Sequence, residues 1–188
     1  ITETSPGEGF GVATSKDGVI FNGFGVAKSD DAAHYKDFGI KIAASDKMVY
    51  FLGTGSVWKD PNDDTRFLCN YSEWRLDDSG IKRQNILFAW SNDLINWNEF
   101  GDDYMFKIDE RYYEKYGRWD CINTYPRKEG GYWGSWTATP NGLKGDGIGF
   151  GYSDDGITWH ALPPNEISPE AHEAGSFIKH DGKVHAMF

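Results

Sequence analysis

One short pattern, Ser-x-Asp-x-(Ile/Val)-x-(Phe/Trp), occurs three times and limits the possible folds more than any other feature of the chain. The copies are Ser15-Lys-Asp17-Gly-Val19-Ile-Phe21, Ser91-Asn-Asp93-Leu-Ile95-Asn-Trp97 and Ser153-Asp-Asp155-Gly-Ile157-Thr-Trp159. Each follows an apolar stretch of strand type, residues 10–13, 86–90 and 148–152. Ser and Asp side chains bond to nearby backbone and Asp-Gly accepts positive φ, so each copy reads as a hairpin turn. The Ile and Trp that alternate after the turn then fill the core face of the next strand.

Successive copies start 76 and 62 residues apart. That is too long for one hairpin and suits a four-stranded blade with loops. Between the turns lies a second repeated element of the form strand, tight turn, strand. Its copies are Lys41-Ile-Ala-Ala-Ser-Asp46-Lys-Met-Val-Tyr-Phe51, Tyr125-Pro-Arg-Lys-Glu-Gly130-Gly-Tyr-Trp133 and Phe177-Ile-Lys-His-Asp181-Gly-Lys-Val-His-Ala-Met187. The expected fold is therefore all-β, a β-propeller with four-stranded blades. Residues 1–188 would form part of a single domain: the tail of one blade, two full blades and the head of a fourth. Open blade stacks leave bare sheet edges, so further blade material is expected beyond both ends. One helical exception is expected at residues 108–116, which are rich in good helix formers.

Composition narrows the partners. With 23 glycines and 39% hydrophobic residues, the chain is foldable and rich in turns. Its net charge of −10 argues against nucleic acid and anionic membranes, whose phosphates call for a basic face. No apolar run is long enough to span a bilayer as a helix. Two cysteines, Cys69 and Cys121, exclude a disulfide scaffold and read as free thiols. No cofactor motif is present. The acidic loops 60–64 and 77–80 read as solvated turns ahead of structural calcium sites, because neither has an ordered ligand spacing. No leader is visible at Ile1-Thr2-Glu3, and one is expected to have been removed.

Aligning the inner hairpins by their turns brings three acidic residues to one blade position: Asp37, Asp120 and Glu173. In a propeller the first strand of each blade lines the central axis, so equivalent positions converge on one funnel. Converging carboxylates are what glycosidic cleavage needs: an acid for the leaving oxygen, a nucleophile or base, and a stabiliser of positive charge. Capping of local turns is the competing role for each. His172 beside Glu173, and His34 beside Asp37, are polar neighbours that suit hydroxyl binding or plain packing. Aromatic residues make up 16% of the chain, with eight tryptophans. Trp119, Trp133, Trp136, Tyr71 and Trp74 are candidate faces for sugar rings, with core packing weighed ahead of stacking for each.

With these residues in hand, the sequence resembles the five-bladed propeller glycoside hydrolases of families 32 and 68 and of families 43 and 62. Ser91-Asn-Asp-Leu-Ile-Asn-Trp97 resembles the turn that ends blades in those families. Arg118-Trp-Asp120 is similar to their Arg-Asp-Pro segment, which implies that Asp120 stabilises the transition state. His172-Glu173-Ala-Gly-Ser-Phe177 resembles the segment that carries the general acid, which implies that role for Glu173. The chain departs from the pattern at Trp119, at Cys121 in place of proline, and at Ala174-Gly175. By the resemblance the nucleophile or base lies upstream of Ile1 or is Asp37, with a substrate contact favoured for Asp37. Arg118, Trp119, His172, Trp136 and Trp74 become substrate-binding candidates. The implied protein is a secreted or periplasmic glycosidase that acts on oligo- or polysaccharide without a cofactor. Two rivals stay open: a non-catalytic carbohydrate-binding propeller, and a sialidase, whose Asp-box turn resembles Tyr152-Ser-Asp154-Asp-Gly156-Ile-Thr-Trp159. The six arginines form no carboxylate-binding motif of the sialidase kind.

Overall fold

A computed structural model describes residues 9–10, 12–17, 19–24, 28–29, 35–36, 40–41, 48–51, 55–94, 96–143, 145–164, 173 and 175–186. The fold is all-β and antiparallel. Two sheets dominate. The first runs Asn98–Glu99, Lys82–Ser91, Phe67–Leu76 and Met48–Phe51, with Val57–Lys59 also paired to Phe67–Leu76. The second is a four-stranded meander: Trp119–Pro126, Tyr132–Ala138, Gly147–Ser153 and His160–Leu162. Hairpins flank them, Val12–Ser15 with Phe21–Phe24 before the first sheet and Phe177–His180 with Lys183–Ala186 after the second.

The Ser-x-Asp turns are the most regular local feature. In the second copy the Ser91 hydroxyl donates to Asp93 Oδ1 at 3.0 Å and accepts from the Leu94 N–H, while Asp93 Oδ1 accepts from the Asn96 N–H. The third copy repeats the pattern, with Gly156 N–H on Ser153 Oγ and the N–H groups of Ile157 and Thr158 on Asp155 Oδ1. In the first copy Asp17 Oδ1 accepts from Val19 and Ile20, and those backbone donors hold its carboxyl down at about 2. Each turn links the last two strands of its sheet or hairpin. The position three residues before the Trp of the pattern has positive φ, which Gly156 supplies at 83° and Leu94 adopts at 64°.

Period-2 alternation decides which faces meet. Leu68 and Asn70 on one strand, with Ile86 and Phe88 on its partner, point toward the second sheet; Cys69, Tyr71, Leu87 and Ala89 point away from it. From the second sheet Trp119, Ile122, Tyr132, Trp136 and Ala138 answer, and Trp159 joins them from the third turn copy. Phe106, Ile108 and Tyr113 plug the space between the sheets, and rings pack at steep angles: Trp119 lies edge to face with Trp136 at 5.1 Å and tilted against Phe106 at 4.9 Å. Such ring pairs stabilise by roughly 0.5–1.5 kcal/mol beyond their buried area.

Residues 108–116 form turns, not the expected helix. Their backbone groups pair with a distant segment instead: Glu114 N–H donates to the Thr139 carbonyl and Asn141 N–H to the Tyr112 carbonyl. Burial of Ile108 and Tyr113 on the core outweighs local helix propensity. The expected hairpins at 125–133 and 177–187 are present. For the expected hairpin at 41–51, Ile40–Lys41 pairs with Gly9–Phe10 and Met48–Phe51 pairs along Arg75–Glu73, and the turn between lies outside the described residues. The acidic loops are engaged locally. Asp60 pairs with Arg66 and caps Asn62, and Asp77 accepts from the N–H groups of Ser79 and Ile81.

Two stability outcomes follow from this packing. A Cβ on Gly156 would meet Leu68 Cδ1 at 2.6 Å and Trp58 Nε1 at 3.0 Å, on a backbone that disfavours side chains. Gly156→Ala is expected to cost about 2–4 kcal/mol in denaturant unfolding, whereas Leu94→Gly stays within about 1 kcal/mol of wild type. Asn70 is buried and bonds both backbone groups of Ile122, donating to the carbonyl at 2.8 Å and accepting from the N–H at 3.1 Å. Asn70→Ala strands the Ile122 N–H and leaves the carbonyl to the Ser56 hydroxyl alone, and is expected to lower unfolding free energy by about 1–3 kcal/mol.

Candidate active site

The strand Trp119–Pro126 does not pair regularly along its length. Trp119 and Asp120 oppose Ala138 and Thr137, but the next pair is Asn123 with Ser135, so Cys121 and Ile122 form a bulge. Cys121 sits there with φ 62°. The bulge is held from the first sheet by Asn70 on Ile122 and by Ser56, whose hydroxyl also donates to the Ile122 carbonyl. One turn of pleat earlier, Gln84 accepts the Trp119 N–H at 2.8 Å and donates its Nε2 to Asp120 Oδ2 at 2.6 Å. Asp120 is thereby fixed at the mouth of its strand with a side chain only 4% exposed.

Glu173 reaches the same place from the far side of the second sheet. Arg118 joins the two acids. Its guanidinium grips Glu173 with two bonds, 2.6 and 2.9 Å, and lies 3.1–3.2 Å from both oxygens of Asp120. Thr137 Oγ1 adds a long contact to Glu173 Oε2 at 3.4 Å. Arg118 is itself anchored: its N–H donates to Thr139 Oγ1, and Thr139 donates to Asp146, whose carboxylate lies 4.0 Å from the guanidinium. Ligand-type atoms of Asp120, Cys121 and Glu173 fall within 4.8 Å of one another. With the Arg118 cation bonded to both carboxylates, the cluster reads as an ion-pair network.

The two carboxyls are tuned in opposite directions. Burial pushes Asp120 up, and Arg118 and Gln84 offset only part of that. Glu173, with a side chain 67% exposed, is pulled below the usual carboxylate range by its bonds to Arg118. The general-acid role that the resemblance implies for Glu173 calls for a carboxyl pushed upward, and in the free protein it is pulled downward instead. The reason is the guanidinium: the chain places a cation, not only anions, against Glu173.

Of the other expected site residues, Trp119 and Trp136 are fully buried in the aromatic core between the sheets. Trp74 is half-buried; it is the cross-strand partner of Gln84 and shares its face toward the site. Tyr71 is buried on the opposite face of the first sheet. Trp133 is 45% exposed and lines an apolar groove of about 380 Å³ with Tyr125, Phe150 and Phe177. Neither that groove nor the cavity of about 790 Å³ beside residues 102–111 includes Asp120 or Glu173. Asp37, His34 and His172 lie outside the described residues.

Gln84, Asn70 and Thr137 were not singled out from sequence. A signal existed for two of them. Gln84 alternates with Ile86 and Phe88, and Asn70 with Leu68, so both are polar residues at core-facing positions. No protein-family model matches the chain, and no curated protein matches it.

The opposed tuning carries a sign. Glu173 contributes stability above its ordinary value of 4.5, and that contribution is lost as pH falls through its lowered folded value. Asp120 works the other way, because a raised folded value makes ionisation above 3.8 unfavourable to the fold. In a carboxyl-detected NMR titration Glu173 is expected to show its midpoint below 4.5, and Arg118→Met to move it upward. An unmoved midpoint would disprove the ion pair.

Proposed function

We propose that the protein is a glycoside hydrolase on a β-propeller scaffold, with Glu173 and Asp120 as its acid and its charge stabiliser. The observation that carries this reading is the meeting of carboxyls from two successive repeats, their oxygens within 4.8 Å. That is no wider than the roughly 5–10 Å over which glycosidase carboxyls act on one bond. The four-stranded meander and the repeated Ser-x-Asp turns support the propeller scaffold.

In this reading the free protein holds Glu173 ionised against Arg118, and the substrate takes over that contact. Sugar hydroxyls draw the guanidinium away, Glu173 loses its cationic partner, and its affinity for a proton rises. The protonated carboxyl then gives its proton to the glycosidic oxygen as the C1–O bond breaks. Asp120, anchored from the first sheet by Gln84, faces the oxocarbenium-like carbon with its negative charge. Attack on that carbon, by water or by a carboxylate, falls to a group outside the described residues. Trp74, the cross-strand partner of Gln84, offers a half-buried aromatic face on the same side of its sheet.

A second reading has an observation of its own. The two-pronged Arg118–Glu173 bridge is also what a non-catalytic sugar-binding site would keep to hold its wall rigid.

Glu173→Gln is expected to lower hydrolysis of unactivated oligosaccharides by about 10²–10⁴-fold while sparing aryl glycosides with good leaving groups. Initial rates on matched substrates check this. Equal loss on both classes removes Glu173 from the acid role. Calorimetric binding of oligosaccharide with no turnover by the wild-type protein selects the binding module.

A further inference from the structure

We propose that Gln84 is a positioning residue, fixing Asp120 as an acceptor-only carboxylate aimed at Arg118 and Glu173. A glutamine amide can usually turn over, exchanging its oxygen and nitrogen. Here one end is decided by the backbone. The Trp119 N–H is a donor, so it takes the Gln84 oxygen at 2.8 Å, and the amide nitrogen must then face Asp120, which it reaches at 2.6 Å. The Trp119 side that sets this orientation is itself immobile: its ring is fully buried, and its Nε1 donates to the Phe106 carbonyl at 3.0 Å. Gln84 is 2% exposed, so both ends are shielded from bulk solvent.

The consequence falls on Asp120. Among the described residues its hydrogen-bond partners are donors: Gln84 Nε2 on Oδ2, and Arg118 Nη2 on both oxygens. None offers an acceptor to a carboxyl proton, so the geometry favours the charged form against the upward push of burial. The charged groups that face Asp120 are Arg118 from its own strand and Glu173 from beyond the second sheet, with Asp146 4.0 Å from the guanidinium and the Cys121 thiol adjacent. Gln84 is the uncharged member. It supplies a proton donor without adding a second cation that would compete with Arg118 for Glu173. It also comes from the other sheet, which makes the placement of Asp120 depend on the packing of two repeats.

The inference rests on the hydrolase reading for its catalytic consequence, but the titration of Asp120 is read on the protein alone. Gln84→Glu keeps an acceptor for the Trp119 N–H and exchanges the donor for an acid. Gln84→Met keeps the bulk and removes both bonds. In both, the Asp120 midpoint in a carboxyl-detected titration, assigned with Asp120→Asn, is expected to rise by about 1 pH unit or more. Gln84→Asn, one methylene shorter, is expected to restore part of the wild-type midpoint. In the unmodified protein the Gln84 side-chain amide protons are expected to exchange far more slowly than those of exposed amides. An unmoved midpoint in the folded variants, or fast exchange in the wild type, overturns the proposal. On oligosaccharide, Gln84→Glu is expected to lower kcat with KM nearly unchanged. If the midpoint shifts but wild type shows no turnover, the hydrolase reading fails and the positioning role of Gln84 stands.

Discussion

The contact on which the site depends is the grip of one sheet on a break in the other. Where Trp119–Pro126 leaves its ladder, Ile122 would have a bare N–H and a bare carbonyl in the interior. Buried backbone groups of that kind cost too much to leave unpaired. Asn70 satisfies both with one amide, and Gln84 does the same service for Trp119 and Asp120. The bulge is held by those two side chains of the neighbouring sheet together with the Ser56 hydroxyl on the Ile122 carbonyl. Asp120 therefore takes its direction from inter-sheet packing.

The surrounding core makes that packing rigid. Trp119, Trp136, Phe106 and Tyr113 interlock at steep angles, and Trp58, Tyr132 and Trp159 extend the cluster toward the outer strands. The Tyr132 hydroxyl donates across to the Lys59 carbonyl at 2.6 Å, a further tie between sheets. Charge then distributes around this frame. Arg118 stands at the rim between a buried acid and an exposed one; its positive charge lowers both, but burial outweighs it at Asp120 and not at the exposed Glu173.

Much of this was legible in the residues. The Ser-x-Asp turns were read correctly as hairpins because their chemistry is local: hydroxyl, carboxylate and backbone donors lie within three residues. The alternation that follows each turn likewise identifies the core-facing Trp159. The segment 108–116 was misread, since its hydrogen bonds run to Thr139 and Asn141, about 30 residues away. Repeat alignment pairs Asp120 with Glu173, but does not show that Arg118 stands between them or that burial falls on Asp120 and exposure on Glu173. Gln84 and Asn70 are visible only as polar residues in phase with an apolar strand face. Recognising them required the partner strand, which no periodicity supplies.

A crystal structure of the protein with a cationic iminosugar, a mimic of the oxocarbenium-like state, tests the account most directly. The account predicts the ring nitrogen held by Asp120, with the guanidinium of Arg118 withdrawn from Glu173 to make room. A sugar seated elsewhere, with both Arg118 bonds to Glu173 intact, would contradict it.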